Sequence, residues 1–450
     1  MFLRLLFVFA ALSVISPSIY AINVYELYSS ALINDPEFQV AVAEKDAALQ
    51  NEGINRSFLL PNLSYGYNKS YNQQTLTIVQ SGPFNYQPSS TPYKYDSVIN
   101  QLTLNQTIFN YAQYANYRKG IAQAAFGSET YKSKAQNLGV RLLSAYFDVL
   151  YSKDQINLLD YQIKTLSKQL QFNQKALQVG QSPVTDLLET ESRLEIAQSQ
   201  LIEAKSNLTI NLRALQSITG FKAEELKDHI DPLKKDFSFL MVEEESLEEI
   251  ERVATATNPE ILAAKQGVEA AKQDVNVKQG GHYPTVTLQG SYGKTISQYI
   301  TQYNQQYTGG AIGAQLTVPL FVGGYNVYAT RQAQSNFDMA QADLQLKTEK
   351  LKIELLKQFN GLKSLKAQVK ALLIAQKSTL ALVDANKKSV FNGIKTNIDL
   401  LIAEQQLLQV SRDLQKAKYD YLLAYAKLKV GIGSFQVADL EKIASNLTGK

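Results

Sequence analysis

Apolar residues recur every seven positions along three stretches of the chain. Leu142, Val149, Ile156, Ile163, Leu170 and Leu177 form one series. Leu187, Leu194, Leu201, Leu208 and Leu215 form a second, and Leu400, Leu407, Leu414, Tyr421 and Leu428 a third. A strict seven-residue repeat marks helices that pack like a coiled coil. The Ala, Gln, Lys and Ser residues between these positions predict a solvated opposite face. The pattern speaks to architecture alone, since a coiled-coil protein of any compartment would carry it.

Four other segments alternate with period two. Leu63, Tyr65, Tyr67 and Tyr71 oppose Ser64, Gly66, Asn68 and Ser70, with Lys69 interrupting the apolar set. Val98, Leu102, Leu104 and Ile108 oppose Ile99, Gln101, Thr103 and Asn105. Val286, Leu288 and Tyr292 oppose Thr285, Thr287, Gln289 and Ser291. Ile312, Ala314, Leu316, Val318 and Leu320 oppose Gly313, Gln315, Thr317 and Pro319. Any one such strand fits a soluble sheet packed on a core. Four of them, sharing a small uncharged polar set, predict a transmembrane barrel with one face in lipid and one in water. The polar stretches Asn72–Lys94 and Lys294–Gly310 read as long outer loops. In and beside them, Tyr86, Tyr93, Tyr95, Tyr299, Tyr303 and Tyr307 are candidates for an aromatic belt.

The chain is duplicated. Asn34-Asp35-Pro36-Glu37 returns as Thr257-Asn258-Pro259-Glu260, and Pro61 returns as Pro284 at the same offset. Ile108-Phe109 returns as Leu320-Phe321, and Phe147-Asp148 as Phe359-Asn360. Val184-Thr185-Asp186-Leu187-Leu188 returns as Asn397-Ile398-Asp399-Leu400-Leu401. Repeat 1 covers 22–220 and repeat 2 covers 245–430, joined by a linker region at 221–244 and followed by a C-terminal segment at 431–450. Each repeat reads as a helix (near 24–57 and 245–279), a strand hairpin (62–108 and 285–320), a long helix (112–179 and 324–392) and a shorter helix (183–217 and 397–430). At 1.5 Å per residue each long helix would reach about 100 Å.

Residues 1–21 read as an export signal: Arg4 ahead of an apolar core from Leu5 to Ile15, with Ala21 closing the segment. That core falls short of the ~20 residues a spanning helix needs. The rest of the chain has no longer apolar run, so a membrane-bound form must be a barrel, the other structure that satisfies its backbone groups in lipid. A net charge of +4 over 450 residues suggests no nucleic-acid partner. There is no cysteine, and the histidines are His229 and His282 alone. No metal-ligand set, phosphate loop or nucleophile constellation stands out, so no cofactor is expected and an enzyme is disfavoured. Four strands are too few to close a barrel, since the smallest bacterial ones have about eight. Several copies must therefore share one, in closed cyclic symmetry; two, three and four copies all satisfy this count.

The order of these segments resembles the TolC-type outer-membrane efflux protein family over nearly the whole mature chain. Phe58-Leu59-Leu60-Pro61-Asn62-Leu63 and His282-Tyr283-Pro284-Thr285-Val286 resemble its helix-to-strand entries. Thr317 to Gly324 resembles its strand-to-helix exit, while Val179-Gly180 to Leu188 and Asn392-Gly393 to Leu401 resemble its hairpin tips. The resemblance implies an α+β membrane protein: a homotrimer whose 12-stranded β-barrel, four strands per chain, continues as a long α-helical periplasmic barrel with an equatorial region near 221–244. It implies an outer-membrane exit duct for efflux or type I secretion. The partners implied are outer-membrane lipid, a periplasmic adaptor and an inner-membrane pump of RND, ABC or MFS type. A periplasmic coiled-coil adaptor or structural envelope protein is the alternative function.

The tips carry readable physics. Gly180 and Gly393 stand where a helix must stop, in positions favouring a left-handed backbone. Ser182 is a candidate cap with Pro183 in the first turn after it, and Asn397 a candidate cap for the matching helix. Asp186 and Asp399 then face the positive ends of helix dipoles. By resemblance, Asp399, Lys395 and Asp186 mark the pore constriction, and Gly180, Ser182, Pro183, Gly393 and Thr396 mark adaptor-docking tips. Ile402 stands where family members often carry a second carboxylate, and Val390 where an aromatic sits, which leaves the constriction to Asp399 with apolar packing around it.

Overall fold

The computed structural model describes residues 23–78, 89–180, 182–234, 236–240, 246–298 and 304–447. The export signal expected at 1–21 lies outside them. In chain order the elements are α1 (Val24–Asn34), α2 (Pro36–Ser57), β1 (Asn62–Ile78), β2 (Ser89–Phe109), α3 (Tyr111–Gln178), α4 (Val184–Thr219) and α5 (Ala223–His229). There follow α6 (Leu247–Thr257), α7 (Pro259–Gln279), β3 (Thr285–Gln298), β4 (Asn304–Thr317), α8 (Tyr325–Phe391), α9 (Asn397–Ile432) and α10 (Val437–Ala444). The fold is thus mostly helical with one sheet, and the two halves repeat the same order.

Each leading helix, expected as one piece, is two. Asp35 and Asn258 hold extended backbones (ψ 116° and 122°), because a following proline disfavours the helical conformation. Both breaks are used. The carboxylate of Asp35 accepts the Phe38 N–H at 3.0 Å and receives Arg141, which also reaches Glu37 at 2.6 Å. Asn258 donates to the carbonyl of Gly431 at 2.9 Å.

The chain divides into two compact units. One comprises Met1–Val40, Lys134–Asn258 and Lys352–Lys450, and is helical. Its seams follow the predicted heptads: Leu142 and Val149 on α3, Leu194, Leu208 and Leu215 on α4, and Leu414, Tyr421 and Leu428 on α9 are all buried. Leu166, Leu194, Ala197 and Leu401 form one local core. Tyrosines pin the loops of this unit. Tyr146 donates to the carbonyl of Asp231 and Tyr421 to that of Leu240, each at 2.9 Å. Phe237 and Phe239 pack edge-on to the Tyr421 ring. The linker region expected at 221–244 therefore carries a helix, α5, and aromatic anchors, and the C-terminal segment carries α10.

The other unit comprises Ala41–Ser133 and Pro259–Leu351 and contains the sheet. Its helices pack closely. A Cβ on Gly127 would fall 2.3 Å from Ala48, and one on Gly280 would meet the Ala112 backbone at 2.7 Å. Lys119 pairs with Asp274 at 2.7 Å. The four strands are antiparallel in the order β1-β2-β3-β4, with β1 and β4 at open edges.

Pairing extends further than the alternation predicted. The stretch 72–94, expected as loop, contributes 72–78 to β1 and 89–94 to β2, and most of 294–310 is also strand. Conversely, β4 stops at Thr317, so Val318 and Leu320 lie outside it. A bulge near Ile108 sets Phe109, not Ile108, opposite Val286. The longer pairing decides the tyrosines. Tyr95 and Tyr307 fall on the polar face with Ser97, Gln101 and Thr295, so they are not belt residues. Tyr86, Tyr299 and Tyr303, and the side chain of Tyr93, lie outside the described residues. Among the described residues, the tyrosines of the apolar face are Tyr65, Tyr67, Tyr71 and Tyr292.

Candidate functional site

The turns between α3 and α4 and between α8 and α9, with the first turns of α4 and α9, hold every sequence-predicted site residue. Gly180 and Gly393 both take positive φ, 73° and 70°. The N–H of Gly393 donates to the Val390 carbonyl at 3.0 Å and that of Ile394 to Ser389 at 2.9 Å, so the last carbonyls of α8 are satisfied. Gly180 makes the matching bond to Leu177 at 3.0 Å. A Cβ on either glycine would meet nothing within 4 Å, so backbone conformation alone calls for glycine.

The helices that follow start differently, and here two expectations are corrected. Ser182 does not cap α4: the capping position falls to Pro183, which offers no side-chain acceptor, and Ser182 instead contacts Asp186 Oδ2 at 3.4 Å. Asn397 does not cap α9, because it already lies in the helix, and the cap is Thr396. Thr396 Oγ1 accepts the Asp399 N–H at 3.3 Å while Asp399 Oδ2 accepts the Thr396 N–H at 3.0 Å, a reciprocal capping box. The carboxyl of Asp399 is held below its ordinary range by the Thr396 hydroxyl, then by the Thr396 N–H and the charge of Lys395. It is exposed and stays ionised through the neutral range.

Lys395 gives its ammonium to Asn386 Oδ1 at 2.8 Å. Asn386 Nδ2 in turn donates to the main-chain carbonyl of Asp399 at 3.1 Å. The first repeat does the same with Asn173, fully buried, whose Nδ2 reaches the Asp186 carbonyl at 3.1 Å and Thr190 Oγ1 at 3.0 Å. Asn397 Nδ2 reaches Asn173 Oδ1 at 3.3 Å and so ties one turn to the other. Sequence reasoning missed both asparagines. The signal was present: Asn173 and Asn386 lie at the repeat's own offset, each 13 residues before its aspartate.

The turns are also apolar at their surface. Phe391 is 91% and Ile394 76% exposed, and Val179 and Val184 are exposed on the other turn. Ile402, where a second carboxylate was considered, is exposed too. The site therefore presents one fixed carboxylate beside an ammonium, on a bare apolar rim. Among its described residues no nucleophile stands paired with a base.

Comparison with known proteins places this geometry. The model of the outer membrane efflux protein family matches residues 27–221 and 252–434, one match per repeat. The alkaline protease secretion protein AprF of Pseudomonas aeruginosa is 36% identical over 429 residues, 95% of this chain and 88% of that protein. The proteases secretion protein PrtF of Dickeya chrysanthemi is 28% identical, over 96% of this chain and 93% of that one. Among solved structures, the CmeC outer membrane channel of Campylobacter jejuni superposes with a TM-score of 0.78 at 18% identity, covering 95% of this chain and 90% of that one.

Proposed function

This chain belongs to the outer membrane efflux protein family, and from that premise we propose that three copies build the exit duct of a type I secretion system. The chain is an outer-membrane channel protein with a periplasmic helical domain. The alternative of a periplasmic adaptor or structural envelope protein gives way to the family match. The observation that carries the shared barrel is the sheet: four strands with one apolar face, one uncharged polar face and two open edges, while the count of three rests on the family likeness. Open edges in hydrocarbon leave backbone groups unsatisfied, so β1 of one copy must pair with β4 of the next. Three copies give twelve strands.

The cargo reading rests on AprF and PrtF, both named for protease secretion and alike along nearly their whole length. By that likeness the duct passes a secreted protein, delivered by an inner-membrane pump through a periplasmic adaptor. In the trimer the three Asp399 carboxylates, each beside Lys395, ring the narrow end, with Asp186 on the neighbouring turn. The exposed rim of Phe391, Ile394 and Val179, shaped by Gly180, Ser182, Pro183, Gly393 and Thr396, is the docking surface for the adaptor.

Native mass spectrometry of detergent-extracted protein, paired with conductance across planar bilayers, tests the duct. Three copies and a discrete conductance are expected. A monomer without conductance would end the reading, whereas a conducting dimer or tetramer would end only the count.

A further inference from the structure

The two faces of the sheet differ in charge. Among the described residues of β1–β4, the polar face has no charged side chain, while the apolar face carries Lys69, Lys94, Asp96 and Lys294. The register arranges them in rows. Leu63, Leu104, Gly290 and Ile312 form one row, and Tyr65, Leu102, Tyr292 and Gly310 the next toward the hairpin turns. Then come Tyr67, Asn100, Lys294 and Thr308, and after them Lys69, Val98, Ile296 and Gln306. Lys69 and Lys294 thus stand one row and two strands apart, roughly 10 Å across the sheet.

Neither lysine is in an ion pair among the described residues. An unpaired ammonium on a lipid-facing strand is costly at depth and tolerated at the boundary, where its stem lies on apolar surface and its head reaches the interface. Tyr65, Tyr67 and Tyr292 next to them are of the kind that sits at headgroup level. Asp96, one row beyond Lys69 on the neighbouring strand, forms no ion pair with it, so an anion bridging the two lysines comes from another molecule, and an apolar surface directly below favours one that is itself amphiphilic. We propose that Lys69 and Lys294 bind the phosphate of an outer-leaflet lipid, its acyl chains lying along Leu63, Leu102, Leu104 and Ile312. Lys94 is not part of the site: it stands two rows further out, beyond Asp96, which faces Tyr71 on the same side. The proposal rests on the duct reading, since this face meets lipid once the barrel is closed.

The test titrates the detergent-solubilised oligomer with dioleoylphosphatidic acid, using dioleoylphosphatidylcholine as the neutral control, and counts bound lipid by native mass spectrometry. Wild type should prefer the phosphatidic acid at least tenfold. Lys69→Gln and Lys294→Gln should each weaken it about fivefold, the double variant should abolish the preference, and Lys94→Gln should change it less than twofold. Equal binding of the two lipids by wild type overturns the proposal, as does a preference that survives in the double variant. Full displacement by an equal concentration of inorganic phosphate would also overturn it, because the tails would then contribute nothing. Conductance of the double variant keeps the two readings apart. A double variant that conducts normally yet lacks the preference supports the site, whereas a wild type that forms no pore removes the duct and the site with it.

Discussion

Asn386 donates from its side-chain amide to the main-chain carbonyl of Asp399 at 3.1 Å, and its carbonyl oxygen accepts Lys395 at 2.8 Å. One buried amide therefore positions both charged groups of the turn. Replacing Asn386 by Leu should leave the Asp399 carbonyl and the Lys395 ammonium without their partner, costing about 1–3 kcal/mol locally. Hydrogen exchange of the amides in 388–400 should accelerate by about 5- to 100-fold. Unchanged protection would mean that the capping box alone holds the turn. Asn173→Leu should do the same to 176–190, and more severely, because Thr190 loses a partner as well.

Asp399 makes a pH prediction with a definite sign. Its folded pKa is lowered by the Thr396 hydroxyl, the Thr396 N–H and Lys395, in that order. A depressed carboxylate contributes above its unfolded pKa and loses the contribution as pH falls through the folded one. Cation preference in single-channel recordings should therefore stay flat from pH 8 to below the ordinary carboxylate range. Asp399→Asn should reduce that preference wherever wild-type Asp399 is ionised and match wild type once acid has protonated it, and Thr396→Val should move the loss to higher pH. Selectivity that is the same in Asp399→Asn and wild type would remove the constriction from this residue while leaving the fold untouched.

The glycines separate conformational from steric demand. At Gly393 a Cβ meets nothing, so Gly393→Ala should cost about 1–2 kcal/mol, the left-handed penalty alone. Gly393→Asn should recover part of it, since asparagine tolerates that conformation. Gly433 has φ 84° and its Cβ would lie 2.7 Å from the Asn258 backbone, where no side chain yields. Gly433→Ala should therefore lower the yield of folded oligomer on size exclusion, whereas Gly393→Ala should assemble normally and lose export.

Much of this was legible in the sequence, for reasons that differ by element. Helices announced themselves where a seven-residue period holds, from Leu142 to Leu177 on α3 and along α4 and α9, and Pro36 and Pro259 were visible even though the breaks they impose were not drawn. The strands were found but cut short. Polar residues such as Gln73, Thr75 and Thr91 look like loop, yet they belong to a hairpin whose pairing is satisfied by backbone, which composition does not report. That error moved the tyrosine belt, because face is decided by counting residues along a strand, and Tyr95 and Tyr307 belong to strands that were cut short of them. At the tips, Gly180 and Gly393 were legible from the need for positive φ. The cap was displaced by one residue, because Ser182, Thr396 and Asn397 are all good caps and sequence does not say where the first helical residue falls.

Asp148 on α3 and Asp420 on α9 give the last prediction. Burial raises both carboxyls above their ordinary range, and the charge of Asp420 raises Asp148 further. A raised acid contributes most stability below its unfolded pKa, and that contribution is lost as pH rises through the folded one. Where both are ionised they repel across partly exposed surroundings, so the penalty is less than about 1 kcal/mol. Asp420→Asn should therefore raise the melting temperature at pH 7.5 and leave it unchanged at pH 3.5, where wild type is protonated. A gain of equal size at both pH values would assign the effect to packing, and a loss at pH 7.5 would mean that Lys416 and Lys427 hold Asp420 in a favourable pairing that outweighs its repulsion of Asp148.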